Sequence, residues 1–148
     1  MLQEFGLSAA GLELIRSCEG LREVAYQDAA GVWTIGYGHT GADVRAGRHV
    51  SEFEAEALLR ADVAATVRFV NKVVTVAIVQ CQFDALVSFC YNVGRGSFER
   101  SSLLLALNRG DVRSAALGFG AWVRAGGKVL PGLVARRKAE AAMFRGMP

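Results

Sequence analysis

The sequence has no Cys-x-x-Cys pair, and its three cysteines, Cys18, Cys81 and Cys90, are odd in number. It therefore signals neither a disulfide framework nor a zinc site. No metal and no cofactor is expected. Cys18, although it precedes Glu19, reads as a small apolar residue rather than a reactive thiol. Long apolar runs are also missing. The greasiest stretch, residues 73–79, contains Thr75 and is far too short to span a bilayer, so no stable membrane insertion is expected. The N-terminus has neither a basic n-region nor an apolar h-region, so it does not read as a signal peptide. The protein is expected to stay in the cytosol until something releases it. Internal repeats, Pro-rich linkers and low-complexity tracts are absent too. The remainder, 148 residues with 52% hydrophobic and 21% charged, reads as one globular domain over residues 1–148.

Charge is present but uneven. Residues 1–94 hold seven Lys/Arg against eleven Asp/Glu, a balance of −4. Residues 95–148 hold ten against three, a balance of +7. A basic second half suggests an acidic partner: nucleic acid, a membrane surface or an anionic polymer. Nucleic acid is set aside, because no recognition motif accompanies the charge and interleaved stacking aromatics are few.

Local patterns organise the chain. Ser8 reads as the N-cap of a first helix, with Leu7 and Leu12 placed for a hydrophobic staple and Gly20 as the stop. Glu19 then falls in the last turn. Residues 24–26 and 32–37 predict the strands of a hairpin around Asp28-Ala29-Ala30-Gly31. Alternation puts Thr34 and Gly36 on one face, with Trp33, Ile35 and Tyr37 on the other. Gly36 and Gly38 weaken a strand, and close approach of a ligand to the backbone would explain them. Ser51-Glu52-Phe53-Glu54 is a capping box opening a helix over about 52–72, long enough to bridge two lobes. Helical segments follow near 79–92, 102–108, 112–122 and 133–145, punctuated by glycines and Pro131-Gly132. The expected fold is α+β and mainly helical. A lobe of about 8–60 carries a small antiparallel β-hairpin, and the long helix joins it to an all-helical lobe of about 73–148.

Glu19, Asp28 and Thr34 lie within sixteen residues of one another. The negative end of a helix and the apolar neighbours Cys18 and Leu21 would disfavour the charged form of Glu19. A carboxyl kept protonated near neutral pH suits a general acid. Asp28 alone is a favoured turn residue, and Thr34 alone an ordinary strand residue. As a set, Asp28 and Thr34 on opposite hairpin arms can hold a water with Glu19 across from them. Glycoside hydrolysis usually needs two such carboxylates.

The run Glu, eight residues, Asp, five residues, Thr, then Ile35-Gly36-Tyr37-Gly38-His39 resembles the catalytic signature of the phage-type (T4-like) lysozymes, the endolysins. Residues 31–40 look particularly like the lambdoid-phage branch. The likeness continues in Gln82-Phe83-Asp84-Ala85-Leu86-Val87-Ser88-Phe89, Tyr91-Asn92-Val93-Gly94, Trp122 with Gly126-Gly127-Lys128, and Gly132-Leu133-Val134 with Arg136-Arg137 and Glu140. It covers nearly the whole chain, in the correct order. The resemblance implies a lysozyme-like fold and cleavage of the β-1,4 bond between N-acetylmuramic acid and N-acetylglucosamine in peptidoglycan. It makes Glu19 the general acid, Asp28 the base or electrostatic partner, and Thr34 the residue that orients the attacking water. Arg136 or Arg137, with Arg136 the choice, would hold the Glu19 carboxyl. His39 is implied to pair with Asp62, while Gly36, Ser102 and Trp122 take supporting or substrate-binding places. The Phe83/Leu86/Val87/Cys90 stripe reads as core. Peptidoglycan glycan strands become the partner of a monomer that waits in the host cytoplasm for a holin-type pore. Residues 73–81 depart from the family pattern by being more apolar, which leaves the start of the third helix open.

Rival readings are a non-catalytic peptidoglycan- or chitin-binding module and a lytic transglycosylase. A binder has no need of the acid. A transglycosylase uses one acid and no water, and so has no need of Asp28 and Thr34.

Overall fold

The computed structural model describes residues 2–147. Ile15–Ala65 form one unit, and the described chain on either side forms the other.

The smaller unit is built on a sheet. Helix α1 (Ala9–Glu19) ends in it, strands β1 (Arg22–Gln27), β2 (Trp33–Gly36) and β3 (His39–Thr40) follow, and helix α2 (Glu52–Val73) begins in it. The strands pair antiparallel in the order β1-β2-β3. The expected hairpin is thus a three-stranded meander, since Thr34 also faces Thr40 and Ile35 faces His39. A two-residue strand shows no periodicity, which is why sequence patterns miss β3. Between the pairs Arg22↔Gly36 and Tyr26↔Thr34 the register of β1 shifts. The displaced residues pair elsewhere: Ala25 N–H donates to Arg48 O and Val50 N–H to Glu23 O, both at 2.9 Å. Both faces of β2 are covered, so Thr34 on one face and Ile35 on the other are buried.

Helix α2 starts as its capping box predicts. Ser51 Oγ accepts from Glu54 N–H at 3.1 Å, and Glu54 Oε1 accepts from Ser51 N–H at 3.3 Å. Its first turns pack on the end of β2. Gly36 has φ +67°, and a Cβ there would stand 3.2 Å from Ala55 Cβ. The close approach expected of a ligand at Gly36 is therefore made by α2 itself.

The larger unit includes residues 2–14, which were expected from Ser8 onward to join the sheet. Phe5 stacks on Phe83 with centroids 5.1 Å apart. The Asn71 side chain bonds both the N–H and the C=O of Phe5, at 2.9 and 2.8 Å. Ser8 caps α1 by accepting from Gly11 N–H at 3.2 Å and donates its own proton to Asp84. Helices α3 (Gln80–Val93), α4 (Arg95–Glu99), α5 (Ser102–Asn108), α6 (Val112–Gly118) and α7 (Pro131–Phe144) complete it, with a 3₁₀ turn at Phe119–Ala121. Phe89 is the centre of its core, edge-on to Phe98 at 6.1 Å and to Phe119 at 5.3 Å. The apolar 74–79 segment is irregular. Asn108 pins it through Val73 O and Thr75 N–H, and Gln82 Oε1 accepts from Val79 N–H where α3 begins.

This unit is not all-helical as expected. Strands β4 (Arg124–Ala125) and β5 (Lys128–Val129) form a hairpin through Gly126 and Gly127, whose φ values are +58° and +78°. Two positive-φ residues are what the tightest hairpin turn demands. No helix among the described residues is long and apolar enough to cross a membrane.

Candidate active site

Glu19 is the final residue of α1 and is half-buried. Gly20 follows with φ +73°, turning the chain into β1. The Glu19 carboxyl lies over the turn between β2 and β3: a Cβ built on Gly38, whose φ is +88°, would stand 3.4 Å from Glu19 Oε2. Arg16, one turn earlier on α1, pairs with Glu56 of α2 at 3.6 Å.

Asp28 is exposed at the β1–β2 turn and holds it together. Its Oδ1 accepts from Ala30 N–H and Val32 N–H, each at 2.9 Å, and its carbonyl accepts from Gly31 N–H. One carboxylate oxygen is thereby committed to the turn, while Oδ2 bonds no described residue. Thr34, opposite Tyr26 in the ladder, is only 4% exposed. Its hydroxyl donates to Val32 O at 3.0 Å, so the oxygen is left as an acceptor. Glu19, Asp28 and Thr34 all belong to the smaller unit.

His39 is held through both ring nitrogens. Nδ1 lies 2.8 Å from Asp62 Oδ2 on α2, and Nε2 lies 3.0 Å from Asp43 Oδ2. Only the imidazolium can donate from both nitrogens. Burial works against that charge, but the hydrogen bonds to Asp62 and then Asp43 outweigh it and raise the His39 pKa. Arg48 completes the brace at 2.6 Å from Asp43 Oδ2. Arg48 first, then His39, hold the Asp43 carboxyl down at about 2. No sequence pattern signals Asp43 and Arg48, because they meet His39 across an irregular loop.

The remaining candidates lie in the larger unit. Arg136 and Arg137 are buried on α7 and share Glu140, at 3.3 and 2.9 Å. Ser88 donates to Glu140 at 2.6 Å, Arg136 donates to Ser88 O, and Arg137 donates to Asn92 Oδ1 at 2.7 Å. Glu140 is fully buried, and desolvation raises its pKa against the pull of Arg137, Ser88 and Arg136. Ser102 is exposed at the first turn of α5, whereas buried Ser101 is the cap, accepting from Leu104 N–H. Trp122 is half-buried with its ring edge-on to Phe89 at 5.8 Å, so part of it belongs to the core.

Residues 16–140 match the model of the phage lysozyme family. The endolysin of Bacillus phage B103 is 49% identical over 140 residues, covering 93% of this chain and 53% of that protein. The chain spans about half the length of the Bacillus phage endolysins it matches. The endolysin of Acyrthosiphon pisum secondary endosymbiont phage 1 is 44% identical over 142 residues, covering 93% of this chain and 97% of that one. Among solved structures, the muramidase domain of SpmX from Asticaccaulis excentricus superposes with a TM-score of 0.89 at 44% identity, covering 94% of this chain and 97% of that one.

Proposed function

The chain belongs to the phage lysozyme family, and from that premise we propose that it is an endolysin-type muramidase. Its substrate is peptidoglycan, and the bond cut is the β-1,4 link between N-acetylmuramic acid and N-acetylglucosamine. The observation that carries this reading is the placement of Glu19 against Gly38 in the same unit as the Asp28–Thr34 hairpin.

Glu19 protonates the leaving glycosidic oxygen. A water donates one hydrogen bond to Asp28 Oδ2 and one to Thr34 Oγ1, the two acceptors that the turn leaves over. With both its protons so directed, the water turns a lone pair to C1 of the sugar. As the C1–O bond breaks, the proton lost by the water passes to Asp28. Attack from the face opposite the leaving group inverts the anomeric centre, which calls for a carboxyl separation of about 6.5–9.5 Å. Arg136 keeps the supporting place that the family resemblance gives it. The chain acts as a monomer, binds no nucleic acid, and reaches the wall from the host cytoplasm through a holin-type pore.

Glu19→Gln tests the acid. Wild type should clear suspensions of outer-membrane-permeabilised Gram-negative cells and the variant should not; equal clearing would reject the mechanism. The product should carry a reducing end. A 1,6-anhydro end would favour a transglycosylase. Arg136→Ala should lose more activity than Arg137→Ala, and the reverse ranking would reject Arg136. Lysis by the chain expressed with no pore-forming partner would overturn the proposed route to the wall.

A further inference from the structure

An arginine stands beside the proposed water site with its hydrogen-bond donors unspent. Tyr26 on β1 is directly opposite Thr34 on β2. Side chains so paired leave the same face of a sheet about 5 Å apart. Over the Tyr26 ring lies the Arg22 guanidinium, with Cζ 4.0 Å from the ring centroid. Stacking uses the flat face of a guanidinium and leaves the N–H groups in its plane free. Arg22 is exposed and Tyr26 half-buried, so the fixed ring seats a guanidinium that solvent reaches. Arg16, Arg48 and Arg60 of the same unit each pair with a carboxylate. Arg22 pairs with none among the described residues, although its unit holds eight acidic residues against five basic.

We propose that Arg22, seated on Tyr26, is a specificity-determining residue that binds a carboxylate of the peptide carried by N-acetylmuramic acid. This deepens the muramidase reading and rests on it. The sugar attacked at C1 beside Thr34 is N-acetylmuramic acid, the one that bears the peptide. A peptide on that sugar is within reach of the neighbouring strand. There a free planar fork matches a carboxylate with two parallel N–H···O bonds. The Tyr26 ring holds the fork in place, so little side-chain freedom is lost when the carboxylate arrives. The basic larger unit attracts the polymer as a whole. Arg22 reads one group on the sugar being cut.

The test uses purified peptidoglycan and the same peptidoglycan with its peptide carboxylates converted to amides. Amidation should raise KM for wild type about threefold or more, with kcat within about twofold. Arg22→Gln should show a smaller rise. Arg22→Lys should fall between the two, because lysine retains the charge without the fork. Tyr26→Leu should also shrink the rise, since it frees the guanidinium from its seat. An Arg22→Gln variant as sensitive to amidation as wild type overturns the proposal. So does an equal loss of kcat on both substrates, the mark of a merely structural role. A second readout needs no cleavage. The Arg22 Nε–H resonance of wild type, assigned through Arg22→Lys, is followed by NMR. The probe is the disaccharide N-acetylglucosaminyl-N-acetylmuramyl-tetrapeptide, which has no bond the enzyme cuts. The resonance should move with this probe and stay still with its amidated form. A signal unmoved by the first, or moved equally by both, sinks the claim. If wild type cleaves nothing, the muramidase reading fails, and the resonance alone decides whether Arg22 is a carboxylate site.

Discussion

At the scale of single residues, Asp28 holds its turn and carries the base role proposed for it, and one substitution separates the two. Asn retains an oxygen for the Ala30 and Val32 N–H groups but removes the charge. Asp28→Asn should therefore unfold within about 0.5 kcal/mol of wild type, the usual range for a surface change, yet lose most of its activity. Asp28→Ala should cost about 1 kcal/mol more through the lost turn bonds. Urea titration beside a lysis assay reads both. Gly36→Ala should destabilise by about 1–2 kcal/mol from its left-handed backbone alone, with the Ala55 contact adding to it. The His39 brace has a definite pH signature. The raised His39 pKa stabilises the fold below the ordinary histidine value of 6.5 and stops doing so as pH rises through the folded value. Asp43, held at about 2 instead of 3.8, stabilises above the ordinary value and ceases to as pH falls toward 2. The wild-type advantage in Tm over Asp43→Asn should peak between these limits, in mildly acidic solution, and shrink on either side. A flat difference from pH 2 to 9 would contradict the brace. Spacing, with the resemblance to the lysozyme signature, singled out Glu19, Asp28 and Thr34, and all three belong to the smaller unit. The nearness of Glu19 to Gly38 was not legible, because it depends on where α1 ends relative to a turn nineteen residues away.

At the scale of elements, boundaries set by local chemistry were readable and those set by neighbours were not. The Ser51/Glu54 box starts α2 where the sequence says, since both partners are three residues apart. Ser51→Ala should cost about 1 kcal/mol in thermal or urea unfolding. Strands β3, β4 and β5 escaped, being two residues each and stabilised by the strand they lie beside. Helix α6 was expected to run on to residue 122. It gives way at Gly118 to a 3₁₀ turn that buries Phe119 against Phe89 and Phe144. Tertiary packing, not propensity, stops it. Phe89 meets three aromatic rings and the Arg137 guanidinium, so Phe89→Ala should cost about 3–5 kcal/mol. A loss under about 1 kcal/mol in urea would show the cluster to be loosely packed.

At the scale of the molecule, the charge asymmetry of the two sequence halves carries over to the two units. Ile15–Ala65 carry five basic and eight acidic residues, a balance of −3, and the rest of the chain carries +6. A cationic unit favours a glycan bearing peptide carboxylates. Raising salt from about 0.01 M to about 1 M cuts the screening length from about 30 Å to about 3 Å. Over that range kcat/KM on peptidoglycan should fall severalfold, while cleavage of an uncharged chitin oligosaccharide should hardly change. The sequence by itself determined the helix caps, the first hairpin, the spacing of Glu19, Asp28 and Thr34, and the mainly helical class. Each of these rests on residues a few positions apart, whose geometry the local backbone dictates. Only the tertiary structure decided that residues 2–14 join the helical unit, that Ala55 fills the space over Gly36, and that Asp43 and Arg48 close on His39. Those contacts arise when separate elements pack, and no local period encodes which side chains will then meet.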